Sequence, residues 1–291
     1  MSQKLLKLAI PTGSLQESVL TLLKDAGYRL KVEPRSYRPE INDPDIWVKM
    51  LRPQEIPSLV EEGVYDLGIS GRDWVIETGA RVKQILDLEI GQFSIVLAVA
   101  DDSRIRSPGD LTKAKAPRIS TEYMKITRSY LKDLGVSGAS VHFSWGATEA
   151  KPPEEADAIV DGFETGATLT GNRLRVVDKL MDSSALLISN PGSMKDGWKA
   201  RKIEGIKIMV GGALLARGKV LLKLNVPTER LDEIAGIVPA MERPTISKLY
   251  GEDWYALETV VNERDLINLI PKLKEAGAKD IIEYDLKKVI P

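Results

Sequence analysis

The most constraining feature of the sequence is a repeated cycle of apolar strand, turn of small residues and helix. Residues Leu5 to Ile10 form the first predicted strand, followed by the turn Pro11-Thr12-Gly13-Ser14 and a helix that Gly27 closes. A later cycle joins the apolar segment 67–70 to the turn Gly71-Arg72-Asp73, which opens another helix. This alternation predicts a parallel α/β layer. Because ligands bind such layers where the carboxyl ends of strands meet helix N-termini, both turns are candidate binding positions.

A second α/β unit is predicted to interrupt the first. Residues 100–172 contain their own strands and helix, whereas 1–99 and 173–214 complete the first unit, with Leu174 to Asn190 as a hairpin-like return. Two lobes joined by more than one crossing of the chain enclose a cleft, the usual position of a small-ligand site. We therefore expect lobe I from 1–99 and 173–214, and lobe II from 100–172.

The last segment of the chain, residues 217–291, has a different pattern. Its strands and helices are predicted in the order βαββαβ, which is typical of a ferredoxin-like sandwich. No candidate catalytic residue stands out in this segment, so its simplest interpretation is a structural or oligomerising domain.

Composition excludes several kinds of site. The 291 residues include no cysteine and one histidine, His142, and the formal net charge is −1. Thiol nucleophiles, disulfides, thiolate metal sites and His-rich metal centres are therefore excluded. The net charge favours neither nucleic acid nor an anionic membrane, so a polyanionic substrate needs a local cluster of positive groups. Without a signal peptide or an apolar span, the chain is expected to be cytoplasmic, with no nucleic-acid or membrane partner.

The stretch DGFETGATLTGN, residues 161–172, combines glycines, hydroxyl groups and two carboxylates after an apolar strand. Gly166 lets the backbone approach a ligand, and nearby N–H groups with the hydroxyls of Thr165 and Thr168 favour an anion at a helix start. A capped strand-to-helix turn remains the alternative. Asp161 and Glu164 favour a sugar phosphate, because a ribose needs acceptors for its hydroxyl groups and Mg²⁺ needs carboxylates.

Charged residues near the first-lobe turns have two interpretations each. Arg52 and Arg72 can be solvated surface charges or anion contacts, and Arg72 is the better candidate because it directly follows Gly71 at a strand end. Asp73 can serve as a helix cap. The alternation in VHFSW favours a strand-surface or hydrogen-bonded position for His142 over a catalytic one.

Four segments give the chain a family resemblance along nearly its whole length: IPTGSLQES, LRPQEIPSLVEEGVYDLGISGRDWVIE, ADAIVDGFETGATLTGNRL and PAMERPTISKLYGEDWYAL. The chain resembles the long form of ATP phosphoribosyltransferase, the first enzyme of histidine biosynthesis. The resemblance implies two periplasmic-binding-protein-like lobes forming a cleft, plus a C-terminal ferredoxin-like α+β regulatory domain. It also implies transfer of phosphoribosyl from phosphoribosyl pyrophosphate (PRPP) to N1 of ATP, with Mg²⁺, in a homo-oligomer (dimer or hexamer).

The resemblance also implies roles for particular residues, with the metal ligands left unknown. The expected sets are Arg52 and Arg72 for catalysis; Asp161, Glu164, Thr165, Gly166, Ala167, Thr168 and Leu169 for PRPP; and Gly13, Ser14, Gly71 and Asp73 for ATP. One departure concerns the first turn, where many members have a lysine before the glycine and this chain has Thr12.

Feedback inhibition by histidine in the C-terminal domain is a further implication of the resemblance. The matching positions are Asn225, Met241, Arg243, Thr245 and Asp280, of which Asp280 suits the ammonium group of the ligand. The alternative to the enzyme is a non-catalytic, two-lobed cytoplasmic sensor of small molecules.

Overall fold

A computed structural model of the chain describes residues 4–239 and 243–291. The strands are β1 (Leu6–Pro11), β2 (Leu30–Lys31), β3 (Glu40–Ile41), β4 (Ile46–Leu51), β5 (Leu67–Gly71), β6 (Lys83–Asp87), β7 (Phe93–Ala100), β8 (Arg118–Thr121), β9 (Ser140–Phe143), β10 (Ala158–Phe163), β11 (Leu174–Ser183), β12 (Ala185–Ser189), β13 (Lys219–Pro227), β14 (Thr245–Lys248), β15 (Trp254–Asn262) and β16 (Lys279–Asp285). The helices are α1 (Gln16–Asp25), α2 (Ile56–Glu61), α3 (Arg72–Thr78), α4 (Pro108–Leu111), α5 (Met124–Asp133), α6 (Ala167–Gly171), α7 (Gly197–Ala216), α8 (Leu231–Ile237) and α9 (Leu266–Glu275). None of the helices in these ranges is long and apolar enough to cross a membrane.

The chain divides into two compact units. The N-terminal unit contains Met1–Thr21 and Tyr28–Lys207, and the C-terminal unit contains Leu22–Gly27 and Ile208–Pro291. The C-terminal unit therefore begins inside α7 rather than at residue 217. Because a continuous helix carries no composition break, its sequence could not reveal this boundary.

The first sheet of the N-terminal unit has the strand order β4-β1-β5-β12-β6. Strand β1 is parallel to β4 and β5, as the repeated α/β cycle predicts, and β12 runs antiparallel to β5. Every residue of β1 except Lys7 is buried, because the sheet is covered on both faces. The parallel pairing brings the residues that follow β1, β4 and β5 to one edge of the sheet.

The second sheet has the order β11-β7-β10-β8-β9 and moves the predicted lobe boundary. Strands β7 and β11, which the sequence assigned to lobe I, pair with each other, and β7 also pairs with β10. Lobe II therefore spans 93–183 rather than 100–172. The predicted hairpin from Leu174 to Asn190 is wrong, because β11 and β12 lie in different sheets. An apolar strand such as β7 satisfies the core of either sheet, so hydrophobicity alone could not assign it.

The chain passes between the two sheets twice. The first passage is the segment 88–92, between β6 and β7, and the second is Ser184, between β11 and β12. Strand β10 is parallel to β8, so the residues after both strands emerge at one edge of the second sheet.

The C-terminal unit confirms the predicted ferredoxin-like topology. Its sheet has the order β14-β15-β13-β16 with every neighbouring pair antiparallel, and α8 and α9 complete the βαββαβ pattern. Apolar side chains such as Leu222, Leu224, Leu257 and Leu273 form its core.

Candidate active site

A cavity of about 440 Å³ lies in the N-terminal unit, where the strand ends of its two sheets meet. Its walls come from both sheets: Ser14, Leu15, Pro53, Gln54, Gly71, Asp73 and Trp74 from the first, Glu122, Tyr123, Gly162, Phe163, Glu164, Thr165, Gly166, Thr168 and Leu169 from the second, and Gly91 and Phe93 from the connecting segment and β7. The parallel pairings of β1 with β4 and β5, and of β8 with β10, explain why these residues converge.

The loop between β10 and α6 forms one side of the cavity. Strand β10 extends to Phe163, so Asp161 belongs to the strand rather than to the loop. Gly166 has φ +78°, and a Cβ at this position would lie 2.9 Å from the ring of Phe163. Glycine is therefore required there both for its left-handed backbone and for the space it leaves.

Unused hydrogen-bond donors are concentrated in this loop. Ala167, Thr168 and Leu169 are the first residues of α6, and the N–H groups of a first turn have no partner within their helix. Within the described ranges the hydroxyls of Thr165 and Thr168 have no hydrogen-bond partner either. Because α6 has five residues, individual N–H and O–H groups, rather than a helix dipole, would attract an anion.

Asp161, on β10, is not among the residues that line the cavity. Its carboxylate accepts a hydrogen bond from the N–H of Gly162 at 2.7 Å. Burial, with smaller contributions from the charges of Glu149 and Glu122, raises the pKa of Asp161 to about 6. The carboxyl therefore changes its charge close to physiological pH.

Asp73 is the most buried charged residue of the cavity wall, with 1% of its surface exposed. Ser183 Oγ donates to Asp73 Oδ1 at 2.7 Å and accepts from the Asp73 N–H at 3.1 Å. Burial raises the pKa of Asp73, and the hydrogen bond from Ser183 offsets part of this rise. Gly71 leaves room for the carboxylate, because a Cβ at Gly71 would collide with Asp73 Oδ1. Asp73 is thus part of the wall rather than a simple helix cap.

The cavity wall is acidic. Asp73, Glu122 and Glu164 line it, and no lysine or arginine of the described residues does. No group of three or more His, Cys, Asp or Glu side chains in residues 4–239 and 243–291 forms a ready-made metal site. Mg²⁺ is often held by one or two carboxylates together with substrate phosphates, so the donor set suits a cation that arrives with a polyanionic substrate.

Two family models match the chain. Residues 52–210 match the one described as ATP phosphoribosyltransferase, and residues 216–288 match the one described as HisG, C-terminal domain. The chain belongs to the ATP phosphoribosyltransferase family. It is 47% identical to the ATP phosphoribosyltransferase of Pelotomaculum thermopropionicum over 98% of this chain and 99% of that protein. It is 45% identical to that of Thermodesulfovibrio yellowstonii over 100% of both chains.

A solved structure supports the same assignment. The chain is similar to a chain of the ATP phosphoribosyl transferase (HisG:HisZ) complex from Thermotoga maritima, with a TM-score of 0.61 and 28% identity. The match covers 71% of this chain and 99% of that one. The predicted fold class, with its two α/β lobes and its additional C-terminal domain, is confirmed.

The arginines expected to serve catalysis in this transferase family do not line the main cavity. Arg72 lies on a neighbouring cavity of about 540 Å³, beside the two connections between the sheets, and pairs with Asp87 at 2.7 Å. Glu164 lines both cavities. Arg52 is exposed just after β4 and lines neither cavity. Of these two arginines, therefore, only Arg72 lines a cavity that adjoins the candidate site.

The remaining expected substrate residues divide into two groups. Ser14, Gly71 and Asp73 line the main cavity together with Glu164, Thr165, Gly166, Thr168 and Leu169. Gly13 and Ala167 are adjacent in sequence to lining residues but are not part of the wall. His142 is exposed on β9, where its Nε2 lies 2.8 Å from Ser140 Oγ, which agrees with the predicted strand-surface position.

Several wall residues were not predicted. The loop after β4 contributes Gln54, and the residues directly after β8 are Glu122 and Tyr123. Because ligands bind at the carboxyl ends of parallel strands, an examination of the residues after these two strands would have found all three. Trp74 and Tyr123 form an aromatic pair with ring centroids 5.0 Å apart. Phe93 had no comparable signal, because it begins a strand instead of following one.

Two of the residues expected to bind histidine, Asp280 and Thr245, lie on opposite edge strands of the C-terminal sheet. Asn225 Nδ2 donates to Asp280 Oδ2 at 2.8 Å, joining β13 to β16. Thr245 lies on β14, and β15 separates it from β13. Arg243 is exposed, and Met241 lies outside the described residues. Within one chain, therefore, Asp280 and Thr245 are not neighbours.

Proposed function

We propose that this chain transfers the phosphoribosyl group of PRPP to N1 of ATP, releasing pyrophosphate, within the 440 Å³ cavity. The observation that carries the proposal is the convergence of the β10–α6 loop with the ends of β1 and β5 on one cavity of a family member. A loop rich in unpaired donors faces strand-end turns from the other sheet, which supports two substrates held side by side.

The β10–α6 loop binds the 5′-phosphate of PRPP in this proposal. The N–H groups of 165–168 and the hydroxyls of Thr165 and Thr168 are the donors, and Gly166 allows the phosphate to approach the backbone. Glu164 accepts hydrogen bonds from the ribose hydroxyls.

ATP binds at the ends of β1 and β5. Ser14, Gly71 and Asp73 line this side of the cavity, and the ring pair of Trp74 and Tyr123 offers an apolar wall for the base. Positioning is the main contribution of these residues, because two bound reactants in the correct orientation avoid much of the entropy cost of a bimolecular reaction.

Mg²⁺ fits the acidic wall as the partner of the substrate phosphates. Glu122 and Glu164 are the carboxylates that would hold it, and when bound it would neutralise charge on the pyrophosphate group. Arg72 contributes positive charge from the neighbouring cavity, where Asp87 orients its guanidinium. Arg52, exposed just after β4, is the second arginine proposed to act on these polyanions.

The chemistry needs little acid–base catalysis from the protein. Adenine N1 carries a lone pair and attacks C1 of the ribose, while the bond from C1 to pyrophosphate breaks and its electron pair leaves with pyrophosphate. Charge develops on the ribose ring and on the leaving group, so fixed dipoles and charges lower the barrier. This explains a site without histidine.

Turnover tests the proposal directly. Purified protein free of histidine, given ATP, PRPP and Mg²⁺, should produce phosphoribosyl-ATP, detected by its absorbance and by mass spectrometry. Folded protein that binds ATP but forms no product would reject the transferase and favour the non-catalytic sensor.

Regulation and assembly extend the proposal. We infer that histidine binds the C-terminal unit and inhibits the enzyme. In this site the carboxylate of Asp280 accepts a hydrogen bond from the ammonium group of histidine, and Asn225 orients that carboxylate. Since Thr245 lies on the opposite edge of the sheet, a second copy of the chain in a homo-oligomer (dimer or hexamer) would complete the site. Sedimentation with and without histidine tests this assembly.

A further inference from the structure

Helix α5 of lobe II is capped by a side chain from lobe I. The N–H of Lys125 donates to the carboxylate of Glu77, on α3, at 2.8 Å to Oε1 and 3.0 Å to Oε2. The N–H of Ile126 donates to Oε2 at 3.0 Å. These groups belong to the first turn of α5 and have no partner within that helix. Within the described residues, the N-cap residue Tyr123 makes no side-chain capping bond of its own, so the cap comes from the other lobe.

The contact between the two helices is both polar and close. A carboxylate that accepts from backbone N–H groups forms charge-assisted hydrogen bonds, and a negative charge is favoured at a helix N-terminus. Glu77 is half-buried, and the side chain of Lys125 reaches back to the end of α3, where a Cβ at Gly79 would collide with its Nζ. Side chains from both lobes therefore hold α3 against α5.

Both helices begin at the main cavity. The first turn of α3 contains Asp73 and Trp74, whereas α5 follows Glu122 and Tyr123 directly, and all four residues line the cavity. Trp74 and Glu77 are three residues apart, so they lie on one face of α3. This face meets lobe II twice, through the ring pair of Trp74 and Tyr123 at 5.0 Å and through the cap. The cap therefore helps to set the separation of two opposite walls of the cavity.

We propose that Glu77 is a positioning residue for the transferase reaction, which holds the two lobes at the separation that brings N1 of ATP to C1 of PRPP. This inference rests on the proposed function, in which ATP binds at the ends of β1 and β5 in lobe I. The proposed PRPP contacts, the β10–α6 loop and Glu122, belong to lobe II. A displacement of about 1 Å between the reactants costs on the order of 100-fold in rate, so the lobe separation acts directly on the chemical step.

Asp110 provides a control for the effect of a lost helix cap as such. Its carboxylate accepts from the N–H groups of Arg106 and Ser107 at 3.0 Å each, at the start of α4. All three residues lie in lobe II. Asp110→Ala therefore removes bonds of the same kind as Glu77→Ala, but it leaves the link between the lobes in place.

Single-turnover kinetics of the full-length protein measure the chemical step without product release. Glu77→Ala should lower the rate constant at saturating ATP and PRPP by about 10-fold or more. The PRPP concentration for half-maximal rate should stay within about 2-fold, because the proposed PRPP contacts all lie in lobe II. Glu77→Gln keeps one acceptor oxygen and should show an intermediate loss, whereas Asp110→Ala should keep the wild-type rate. A wild-type rate in both Glu77 variants, or an equal loss in Asp110→Ala, overturns the inference.

A distance measurement tests the same role without turnover. Because the chain contains no cysteine, Glu62→Cys in lobe I and Ser137→Cys in lobe II, both at exposed positions, give two unique sites for spin labels. Labelled protein is diluted with unlabelled protein, so that double electron–electron resonance records distances within one chain. Adding Glu77→Ala should create a population at longer distance, and adding Asp110→Ala should not.

The distances also separate this inference from the proposed function. An unchanged distribution in Glu77→Ala overturns the role of Glu77 even if the wild type makes phosphoribosyl-ATP. A wild type that makes no product rejects the proposed function instead, and the distances still decide whether Glu77 joins the lobes. If Glu77→Ala does not fold, Glu77→Gln supplies both comparisons.

Discussion

Ser183 Oγ donates a 2.7 Å hydrogen bond to Asp73 Oδ1. This bond joins the end of β11, in the second sheet, to the first turn of α3, the helix that follows β5 of the first sheet. The residue that follows Ser183 is one of the two passages of the chain between the sheets. A buried carboxylate at the cavity is therefore held by the connection between the two lobes, which links the geometry of the site to the lobe arrangement.

Ser183→Ala should destabilise the protein by about 1–3 kcal/mol, because Asp73 Oδ1 would lose its donor while remaining buried. The pKa of Asp73 should rise further, since the Ser183 bond now lowers it. A carboxyl with a raised native pKa contributes stability below its unfolded pKa and loses it as pH rises. The deficit measured by urea unfolding should therefore be larger at neutral pH than in mild acid. Ser137→Ala, at an exposed serine, serves as the control, and an equal deficit at both pH values would contradict the expectation.

Asp161 should make the stability of the wild type fall between about pH 4 and 6. Its pKa is raised from 3.8 to about 6, so the native state binds the proton more tightly and is favoured while the carboxyl is protonated. The loss is at most about 3 kcal/mol, and partial exposure reduces it. Unfolding free energies of the wild type and Asp161→Asn across this range measure the effect. Parallel curves for the two proteins would show that Asp161 does not titrate in this way.

Gly166→Ala should raise the KM for PRPP much more than that for ATP. Alanine at φ +78° costs roughly 1–2 kcal/mol, and its Cβ would press on Phe163, so the loop would leave its phosphate-binding conformation. Gly171→Ala at the end of α6 is the matched control, because nothing lies within 4 Å of the Cβ it would add. Steady-state kinetics with each substrate varied in turn provides the measurement. A similar change in both KM values would remove the loop from the PRPP site.

Asp280→Asn should weaken inhibition by histidine by about 10-fold while basal activity is retained. Asparagine preserves the size of the side chain and tolerates the positive φ of 49° at this position, but it removes the negative charge offered to the ammonium group. Asp285→Asn at the end of the same strand controls for net charge. Inhibition curves of the three proteins decide the matter, and an unchanged curve for Asp280→Asn would place the ammonium group elsewhere.

Much of the fold was predictable because local patterns determine it. Strand–turn–helix cycles predicted the parallel pairings of β1, and the βαββαβ order predicted the C-terminal sheet. The lobe boundary was not predictable. Strand β7 is apolar enough for either sheet, and only its pairings with β10 and β11 assign it to the second.

The sequence by itself determined the family. It also predicted the phosphate-loop chemistry of residues 161–172 and a cation for a polyanionic substrate, because these predictions depend on residue types at short spacing. Tertiary structure alone decided that Gln54 and Asp73 lie on one cavity with unpaired oxygens, and that Arg52 lies outside it. Burial and hydrogen-bond pairing depend on segments far apart in the chain, so they exist only after the sheets have formed.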